Sequence, residues 1–191
     1  MAKCVYYCAM SLDGYIASSD DTLDWLLGYQ GSYEGADAEH GRGYDDFYEG
    51  IGALVSGSVT YEFVLDHIEE ENGEWPYGGK PTWVLSSRQL PVPEGDDVDV
   101  RIVSAKVPDL HREMTAAAGE RDLWVVGGGN VASQFADAGL LDEVIVTVVP
   151  VVLGEGKPLF DRAVPGGPMQ LTSAFPRETG MVELRYEIQR A

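Results

Sequence analysis

The sharpest chemical motif in the chain is a run of three glycines, Gly127, Gly128 and Gly129, followed by Asn130 and Val131. It stands between an apolar, β-prone segment at 122–126 and a helical pattern at 130–138. Glycine lets the backbone turn tightly and lets a ligand approach the main chain. The first turn of a helix leaves N–H groups free and carries partial positive charge, so this unit predicts an anion site that needs no basic side chain.

The same residues also fit a tight strand-to-helix turn with nothing bound. The pattern is not the Gly-x-Gly-x-x-Gly dinucleotide fingerprint, because Ala132 follows where the third glycine would fall. It is not a P-loop either, since a P-loop continues with Gly-Lys-Ser/Thr.

Two further strand ends carry polar groups. Gly57, Ser58 and Thr60 follow an apolar segment at 51–56 and open a helical pattern, and residues 86–88, which are Ser86, Ser87 and Arg88, follow a short strand pattern at 82–86. Taken singly, Ser58 or Thr60 fits a helix cap and Arg88 fits a solvated surface residue. An arginine there can also pair with a phosphate. Ligands of α/β sheets bind off the carboxyl ends of strands, so three such ends together favour one ligand site.

The charge of the chain limits its partners. Its formal net charge is −19, and its pI is near 4.3. Such a surface repels nucleic acid and anionic membranes, so we expect neither as a partner. A polyanionic cofactor would need a local site built from backbone N–H groups and a few arginines or lysines.

The elements that position these residues alternate between strand and helix patterns through the middle of the chain. Strands are predicted at 3–10, 51–56, 82–86, 98–103, 122–126, 143–153 and 182–189, and helices at 60–70, 107–118 and 130–138. The last strand alternates apolar and polar residues, which is typical of antiparallel pairing. We therefore predict a single α/β domain over 1–191, with a mixed, mainly parallel sheet, a central first strand and an antiparallel C-terminal strand.

The location of the protein is predicted from its lack of a membrane-span pattern and of a secretory-signal pattern, and from its two cysteines. No apolar run approaches the ~20 residues of a membrane span, and the N-terminus lacks the pattern of a secretory signal. On one strand Cys4 and Cys8 would lie about 13 Å apart, too far for a disulfide. Free thiols favour a reducing compartment, so we expect a cytoplasmic protein.

Five segments in order resemble the dihydrofolate reductase-like superfamily, and most of all its riboflavin-biosynthesis reductase branch, the RibD C-terminal domain. They are residues 9–17 (AMSLDGYIA), 57–62 (GSVTYE), 85–88 (LSSR), 126–130 (VGGGN) and 150–160 (PVVLGEGKPLF), the last being the most specific. The resemblance implies a mixed sheet with NADPH across its strand ends. It also implies reduction by hydride transfer of a small flat heterocycle, such as a pterin, an aminopyrimidine or a flavin-like ring, by an oxidoreductase that acts on a CH–NH or C=N type bond.

The resemblance also implies roles for individual residues. Ala9, Ile16 and Ala17 would flank the nicotinamide. Thr60 and the 127–131 turn would hold the pyrophosphate, with Gly57 and Ser58 beside it, and residues 86–88 would meet the adenosine end. The family carries an arginine where this chain has Ser58, which leaves Arg88 as the main basic candidate for a 2′-phosphate. NADPH is favoured over NADH only by this likeness.

The substrate side is less determined. Asp45 and Asp46, with Glu49 and Asp24, stand in the region where true dihydrofolate reductases carry a buried carboxylate. A carboxyl group in an apolar pocket can hold a proton near neutral pH, so we take Asp45 and Asp46 as candidate proton donors, with solvated surface acids as the alternative. The histidines lack metal-ligand spacing, so no metal is expected. A non-catalytic nucleotide- or small-molecule-binding protein on the same scaffold is the rival function.

A late apolar part of the chain bears on its assembly. The 143–153 segment is apolar on both faces, and Pro158, Leu159 and Phe160 follow it closely. Related reductase domains often pair through this late part of the sheet, and an apolar surface there would favour a two-fold contact. We predict a homodimer at moderate salt, where the repulsion of two acidic chains is screened. The alternative is that these residues pack within one chain.

Overall fold

A computed structural model describes residues 2–28, 43–71, 73–177 and 180–189. Its centre is an eight-stranded sheet with strand order β5-β4-β3-β6-β1-β7-β10-β9. The strands of this sheet are β1 (Cys4–Ser11), β3 (Ile51–Gly57), β4 (Thr82–Leu85), β5 (Val100–Val103), β6 (Asp122–Gly127), β7 (Glu143–Val149), β9 (Gln170–Pro176) and β10 (Val182–Glu187). Two short strands, β2 (Tyr15–Ala17) and β8 (Lys157–Pro158), pair with each other in a separate small sheet.

The sheet is parallel from β5 through β7 and antiparallel beyond. The first strand pairs in parallel with β6 and with β7, which come more than a hundred residues later. The β10 strand runs antiparallel between β7 and β9. The predicted mixed sheet, its central first strand and its antiparallel C-terminal strand are therefore confirmed.

Helices cover both faces of this sheet. They are α1 (Asp24–Leu27), α2 (Tyr44–Glu49), α3 (Ser58–Glu71), α4 (Val107–Ala118) and α5 (Gly129–Asp137). In α4 the predicted face of Val107, Leu110 and Met114 is buried, and Gly119 follows the helix with φ +66°. A positive φ suits glycine, which is why the helix stops there. Burying a side chain of the size of Leu or Met contributes about 1.5–3 kcal/mol.

The remaining clusters hold the helices that border the functional site. Tyr61 of α3 packs with Trp75 and Val84, and the aromatic residues of α2 pack against Tyr7 and Trp124 of the sheet. The helical face predicted for α3, with Val64, Leu65 and Ile68 beside Tyr61, is present. These contacts fix α3 so that its first turn lies at the end of β3.

Two strands of the large sheet show the clearest differences from the sequence prediction. The strand predicted over 143–153 ends at Val149, because Pro150 has no N–H to continue the ladder and Val151 instead donates its N–H to the Val149 carbonyl at 2.8 Å. Val152 consequently lies outside the sheet with two thirds of its surface exposed. The β9 strand was not predicted as a separate element, and most of its residues are exposed at the edge of the sheet.

None of the helices in the described part of the chain has both the length and the apolar character that a membrane span requires.

Candidate functional site

A cavity of about 500 Å³ lies at the carboxyl ends of the parallel strands, and we call it the site cavity. Because β1, β3, β4 and β6 run in parallel, their last residues meet at the same edge of the sheet. The cavity brings together eleven of the predicted cofactor residues, which are Ala9, Ile16, Ala17, Gly57, Ser58, Thr60, Gly127, Gly128, Gly129, Asn130 and Val131. Segments far apart in sequence thus share one concave surface.

The glycine turn forms one wall of the site cavity. The Gly127–Gly128 peptide bond is cis, and Gly128 is the N-cap of α5. A Cβ on Gly129 would lie 2.5 Å from the Pro158 carbonyl oxygen, so only glycine fits there. A Cβ on Gly128 would instead meet Thr60 Oγ1 at 3.8 Å and Ile16 Cδ1 at 3.9 Å. The main chain at Gly128 therefore faces open space between these two side chains, as the approach of a phosphate to the backbone requires.

Two helices begin beside this turn. The helix α5 starts at Gly129. Near its start, the Ala132 N–H donates a hydrogen bond to the Gly128 carbonyl at 3.2 Å. The helix α3 starts at Ser58, directly after β3 ends at Gly57. First-turn N–H groups have no carbonyl partner within their own helix and carry partial positive charge. Both helices thus direct unpaired donors and their positive ends to the same cavity, and Thr60 Oγ1 adds a hydroxyl.

The side chain of Asn130 is already engaged. Its Nδ2 donates to Asp161 Oδ2 at 2.6 Å, and its Oδ1 accepts from Gln134 Nε2 at 2.8 Å. Hydrogen bonds from Asn130 and then Ser133 lower the pKa of the Asp161 carboxyl group. Asn130 therefore ties the glycine turn to the 161 loop, and what it offers a ligand is its backbone N–H.

The site cavity also has an apolar end, which meets the glycine turn at Ile16. Its lining includes Ile16 and Ala17 of β2 together with Leu23, Leu26 and Phe63. Cys8 also lines the cavity, and burial raises the pKa of its thiol to about 12, so the sulfur stays protonated at neutral pH. A flat ring would find an apolar, uncharged surface here.

One ion pair stands at the rim of that apolar end. Lys157 Nζ lies 3.3 Å from Asp21 Oδ2, and both residues line the cavity. Lys157 belongs to β8, which pairs with β2. The pair therefore links β8 to the segment that follows β2, and both of its side chains are partly exposed to solvent.

The predicted adenosine residues lie just outside the site cavity. Leu85, the last residue of β4, lines it, whereas Ser86, Ser87 and Arg88 do not. Ser86 Oγ accepts the Arg88 N–H at 3.0 Å. The Arg88 guanidinium is held by Glu62 of α3, with Nη1–Oε1 and Nη2–Oε2 distances of 2.9 and 2.6 Å. Hydrogen bonds from the guanidinium to Glu62 raise the pKa of Arg88.

The predicted proton donors lie elsewhere. Asp45 and Asp46 are exposed on α2 and do not line the site cavity. Asp46 instead lines a second cavity of about 440 Å³, which we call the opposite cavity, together with Lys3, Asp122 and Glu143 at the starts of β1, β6 and β7. Because the strands are parallel, their starts lie at the opposite end of the sheet from the site cavity. The positions of Asp45 and Asp46 therefore give no support to the prediction that they are proton donors.

Phe63, Asp21 and Lys157 are among the cavity residues that the sequence reasoning missed. Phe63 stands three residues after Thr60, so the helical period of α3 already put both on one side. Asp21 and Lys157 are 136 positions apart, and only the β2–β8 pairing brings them together. The aromatic residues Tyr48 and Tyr77 do not line the site cavity, because they pack around Trp124. Of the histidines, His40 lies outside the described residues.

Several known proteins are similar to this chain over most of its length. The uncharacterized protein YwjB of Bacillus subtilis is 33% identical over 159 residues, or 83% of this chain and 82% of YwjB. The crystal structure of a candidate riboflavin biosynthesis protein of Shewanella sp. PV-4 matches over the full length of both chains, with 29% identity and a TM-score of 0.76. A dihydrofolate reductase of Enterococcus faecalis, complexed with NADP(H), shares the fold at a TM-score of 0.53 and 18% identity, over 97% of this chain and 94% of its own.

These comparisons confirm the predicted resemblance and the dihydrofolate reductase-like fold. The model of the RibD C-terminal domain family matches residues 58–182, about two thirds of the chain. The matched part holds the α3 start, the 86–88 turn and the glycine turn. This protein therefore belongs to the RibD C-terminal domain family.

Proposed function

We propose that this protein is a reductase that binds a nicotinamide dinucleotide, NADPH in the first place and NADH as well, on the glycine turn of the site cavity. The observation that carries the proposal is the meeting of two helix starts at an open main chain, where Gly128 faces Thr60 and Ile16. Backbone donors can bind a pyrophosphate without basic side chains, which suits a chain of net charge −19. The Enterococcus relative of the same fold was crystallised with NADP(H).

The apolar end of the cavity suits the reacting ring. Hydride donation is the chemistry that such a cofactor supplies when bound. Ala9, Ile16 and Ala17 would hold the nicotinamide by apolar contact, while Leu23 and Leu26 exclude water from that end. Exclusion of water strengthens the electrostatic interactions inside a site and suppresses side reactions. The residues of the chain thus bind, orient and desolvate.

For the substrate we propose a small flat heterocycle, an aminopyrimidine before a pterin or a flavin-like ring, in which a C=N bond takes up a hydride and a proton and becomes a CH–NH bond. The support is the family membership together with the name of the Shewanella relative, which points to riboflavin biosynthesis. An uncharged apolar wall beside the thiol of Cys8 accepts an aromatic ring, and a flat ring stacks well on a nicotinamide.

The cofactor proposal is tested by calorimetric titration of the wild type and of Gly128→Ala with NADPH and NADH. The added methyl group fits the free protein, with its nearest contacts at 3.8 and 3.9 Å, but it occupies the surface that a phosphate would approach. We expect affinity to fall at least tenfold while the thermal stability is kept.

The matched control is Gly50→Ala at the opposite cavity, where a Cβ would lie 3.4 Å from the Phe47 carbonyl oxygen. This variant should bind as the wild type does. Absence of binding by the wild type at millimolar cofactor, or equal affinities for Gly128→Ala and the wild type, would refute the proposal.

A sensor that binds the cofactor without turnover is the second candidate. This candidate is favoured by how few side chains at the site cavity could donate a proton. Among the described residues, the ionisable ones there are Cys8, Asp21 and Lys157, and the two charged ones are paired with each other. The two candidates separate on a turnover assay, in which NADPH oxidation is followed with aminopyrimidine ribityl compounds, pterins and flavins. Oxidation of NADPH with any of them favours the reductase, and tight binding with no turnover favours the sensor.

We further propose a homodimer in a reducing cytoplasm, where the free Cys4 and Cys8 are stable. Of the predicted contact residues, Phe160 packs within the chain, with its ring 5.5 Å from that of Tyr6. Leu12 and Val152, in adjoining loops, are 61% and 67% exposed and provide the apolar surface instead. Sedimentation equilibrium across a salt series should show a dimer that persists as salt rises, and a monomer at every salt would exclude it.

A further inference from the structure

The carboxylate of Glu62 and the guanidinium of Arg88 form a two-pronged ion pair beside the site cavity. Both prongs are within hydrogen-bonding distance, at 2.9 and 2.6 Å. The side chains remain accessible, with 53% of Arg88 and 37% of Glu62 exposed. A ligand in solution can therefore reach the pair, and it must compete with one partner for the other.

The pair lies at a defined distance from the glycine turn. Phe63, the residue after Glu62, and Leu85, three residues before Arg88, both line the site cavity. Leu85 is paired with Gly57 on β3, and the neighbouring Ser56 is paired with Gly127 on β6. Two strand spacings, or about 10 Å, thus separate the glycine turn from the end of β4. A dinucleotide whose pyrophosphate occupies the turn is long enough to reach the pair with one of its riboses.

The charge balance at this point bears on one group of the cofactor. NADPH and NADH differ only in the 2′-phosphate of the adenosine ribose. A guanidinium binds a phosphate by two parallel hydrogen bonds, but Glu62 already takes two of the five N–H groups of Arg88 and its negative charge opposes a phosphate. A carboxylate near the ribose also accepts a hydrogen bond from a free 2′-hydroxyl, which only NADH has. Ser58, at the start of the same helix, adds no positive charge.

We propose that Glu62 sets the cofactor preference of this protein: by holding Arg88 it keeps the affinities for NADPH and NADH close to each other. The proposal rests on the proposed function, since it assumes that a nicotinamide dinucleotide occupies the site cavity. It assigns to Arg88 a phosphate-binding capacity that Glu62 restrains, and to Glu62 a direct role in accepting NADH.

The experiment is a double-mutant cycle in which NADPH and NADH are titrated calorimetrically into the wild type, Glu62→Gln, Arg88→Gln and the double variant. Glu62→Gln should bind NADPH at least threefold more tightly and NADH no more tightly than the wild type. Arg88→Gln alone should shift the ratio of the two affinities towards NADH, because it leaves the Glu62 carboxylate uncompensated, whereas in the Glu62→Gln background it should remove the whole gain. The gain should shrink as salt rises, because it is electrostatic.

Asp99→Asn is the matched control, because Asp99 holds Arg101 by the same two-pronged geometry, at 2.8 and 2.7 Å, away from the cavity lining. It should leave both affinities unchanged. Glu62→Ser is a second variant, expected to shift the ratio in the same direction, should Glu62→Gln prove unstable.

The outcomes separate this proposal from the proposed function. If both nucleotides bind the wild type and Glu62→Gln alters their affinities equally or not at all, the role of Glu62 is refuted while the cofactor site stands. If neither nucleotide binds the wild type, the cofactor site itself is refuted and the role of Glu62 with it.

Discussion

Two cavities of similar size lie at the two edges of the same sheet, and their chemistry differs. The site cavity, at the carboxyl ends of the strands, is lined by glycines, apolar side chains and helix starts. The opposite cavity is lined in part by charged residues, and its basic ones already have partners. Lys3 lies 3.2 Å from Glu143 and from Glu187, and Arg185 is paired with the buried Glu183.

The pKa of Lys3 shows how complete this pairing is. Burial alone would lower it, but hydrogen bonds to Glu143 and Glu187 outweigh that effect and raise it. Pairs of this kind satisfy each other and leave little for a ligand to gain. On the proposed function, a polyanion would bind where the main chain supplies the donors, and not at the paired basic side chains of the opposite cavity.

The largest effect is expected at Gly129. In Gly129→Ala the new Cβ would lie 2.5 Å from the Pro158 carbonyl oxygen and 2.8 Å from that of Leu159, both of which are backbone atoms. Overpacking of this kind costs about 1–3 kcal/mol, and we expect the upper end of that range. Urea denaturation should show the loss, with Gly50→Ala at the opposite cavity as the control. Equal midpoints for the two variants would show that both edges tolerate a side chain alike.

A smaller effect is expected at Thr60. Its Oγ1 lies beside the open main chain at Gly128, so Thr60→Val keeps the shape and removes one hydrogen bond to a bound phosphate. A hydrogen bond to a charged group is worth about 1.5–3 kcal/mol, so NADPH affinity should fall about tenfold or more. Thr115→Val is the control and should leave the affinity unchanged, because the Thr115 hydroxyl donates to the His111 carbonyl at an exposed position of α4. Unchanged affinity for Thr60→Val would place the pyrophosphate away from this turn.

Local patterns in the sequence were sufficient to predict most elements and the glycine turn, because each depends on residues within one strand or helix. The segments 122–127 and 129–137 follow from apolar runs and glycines alone. The side of the sheet on which the acids of α2 lie could not be predicted, since the position of this helix depends on Tyr7 and Trp124, which are distant in sequence. The pairing of Arg88 with Glu62, 26 residues apart, was missed for the same reason.

The next effect concerns pH and the loops beside the site cavity. A hydrogen bond from Ser11, then bonds from the N–H groups of Gly154 and Leu153, lower the pKa of Asp13 to about 2, from an ordinary value of 3.8. Because the pKa of Asp13 is lower in the folded than in the unfolded state, its ionised carboxylate stabilises the folded protein fully above pH 4. This contribution is lost as pH falls through 2, where the carboxylate becomes protonated.

The Tm of the wild type should therefore exceed that of Asp13→Asn by a constant amount above pH 4, and the difference should vanish as pH falls through 2. Thermal denaturation followed by circular dichroism at several pH values measures it. A difference that persists unchanged at pH 1 would mean that the carboxylate charge is not its cause.

The smallest effect is expected at the acids of α2. Because Asp45 and Asp46 do not line the site cavity, Asp45→Asn and Asp46→Asn should change NADPH affinity and any turnover less than twofold. Steady-state kinetics on the substrate found in the turnover panel measures the second quantity. A turnover loss of tenfold or more for either variant would restore it as a proton donor and would remove the functional contrast between the two edges.

The pairing of β1 with β6 and β7 has a consequence for the order of folding. The first strand made must wait for partners at Leu123 and Glu143, and the cavity wall is closed only when Pro158 reaches Gly129. Contacts between such distant residues carry a large loop-closure entropy and are associated with slow folding. The glycine turn therefore gains its cavity only after the chain as far as Pro158 has joined the fold. A ligand that binds only the completed cavity stabilises the whole chain by an amount that grows with the logarithm of its concentration once that exceeds Kd.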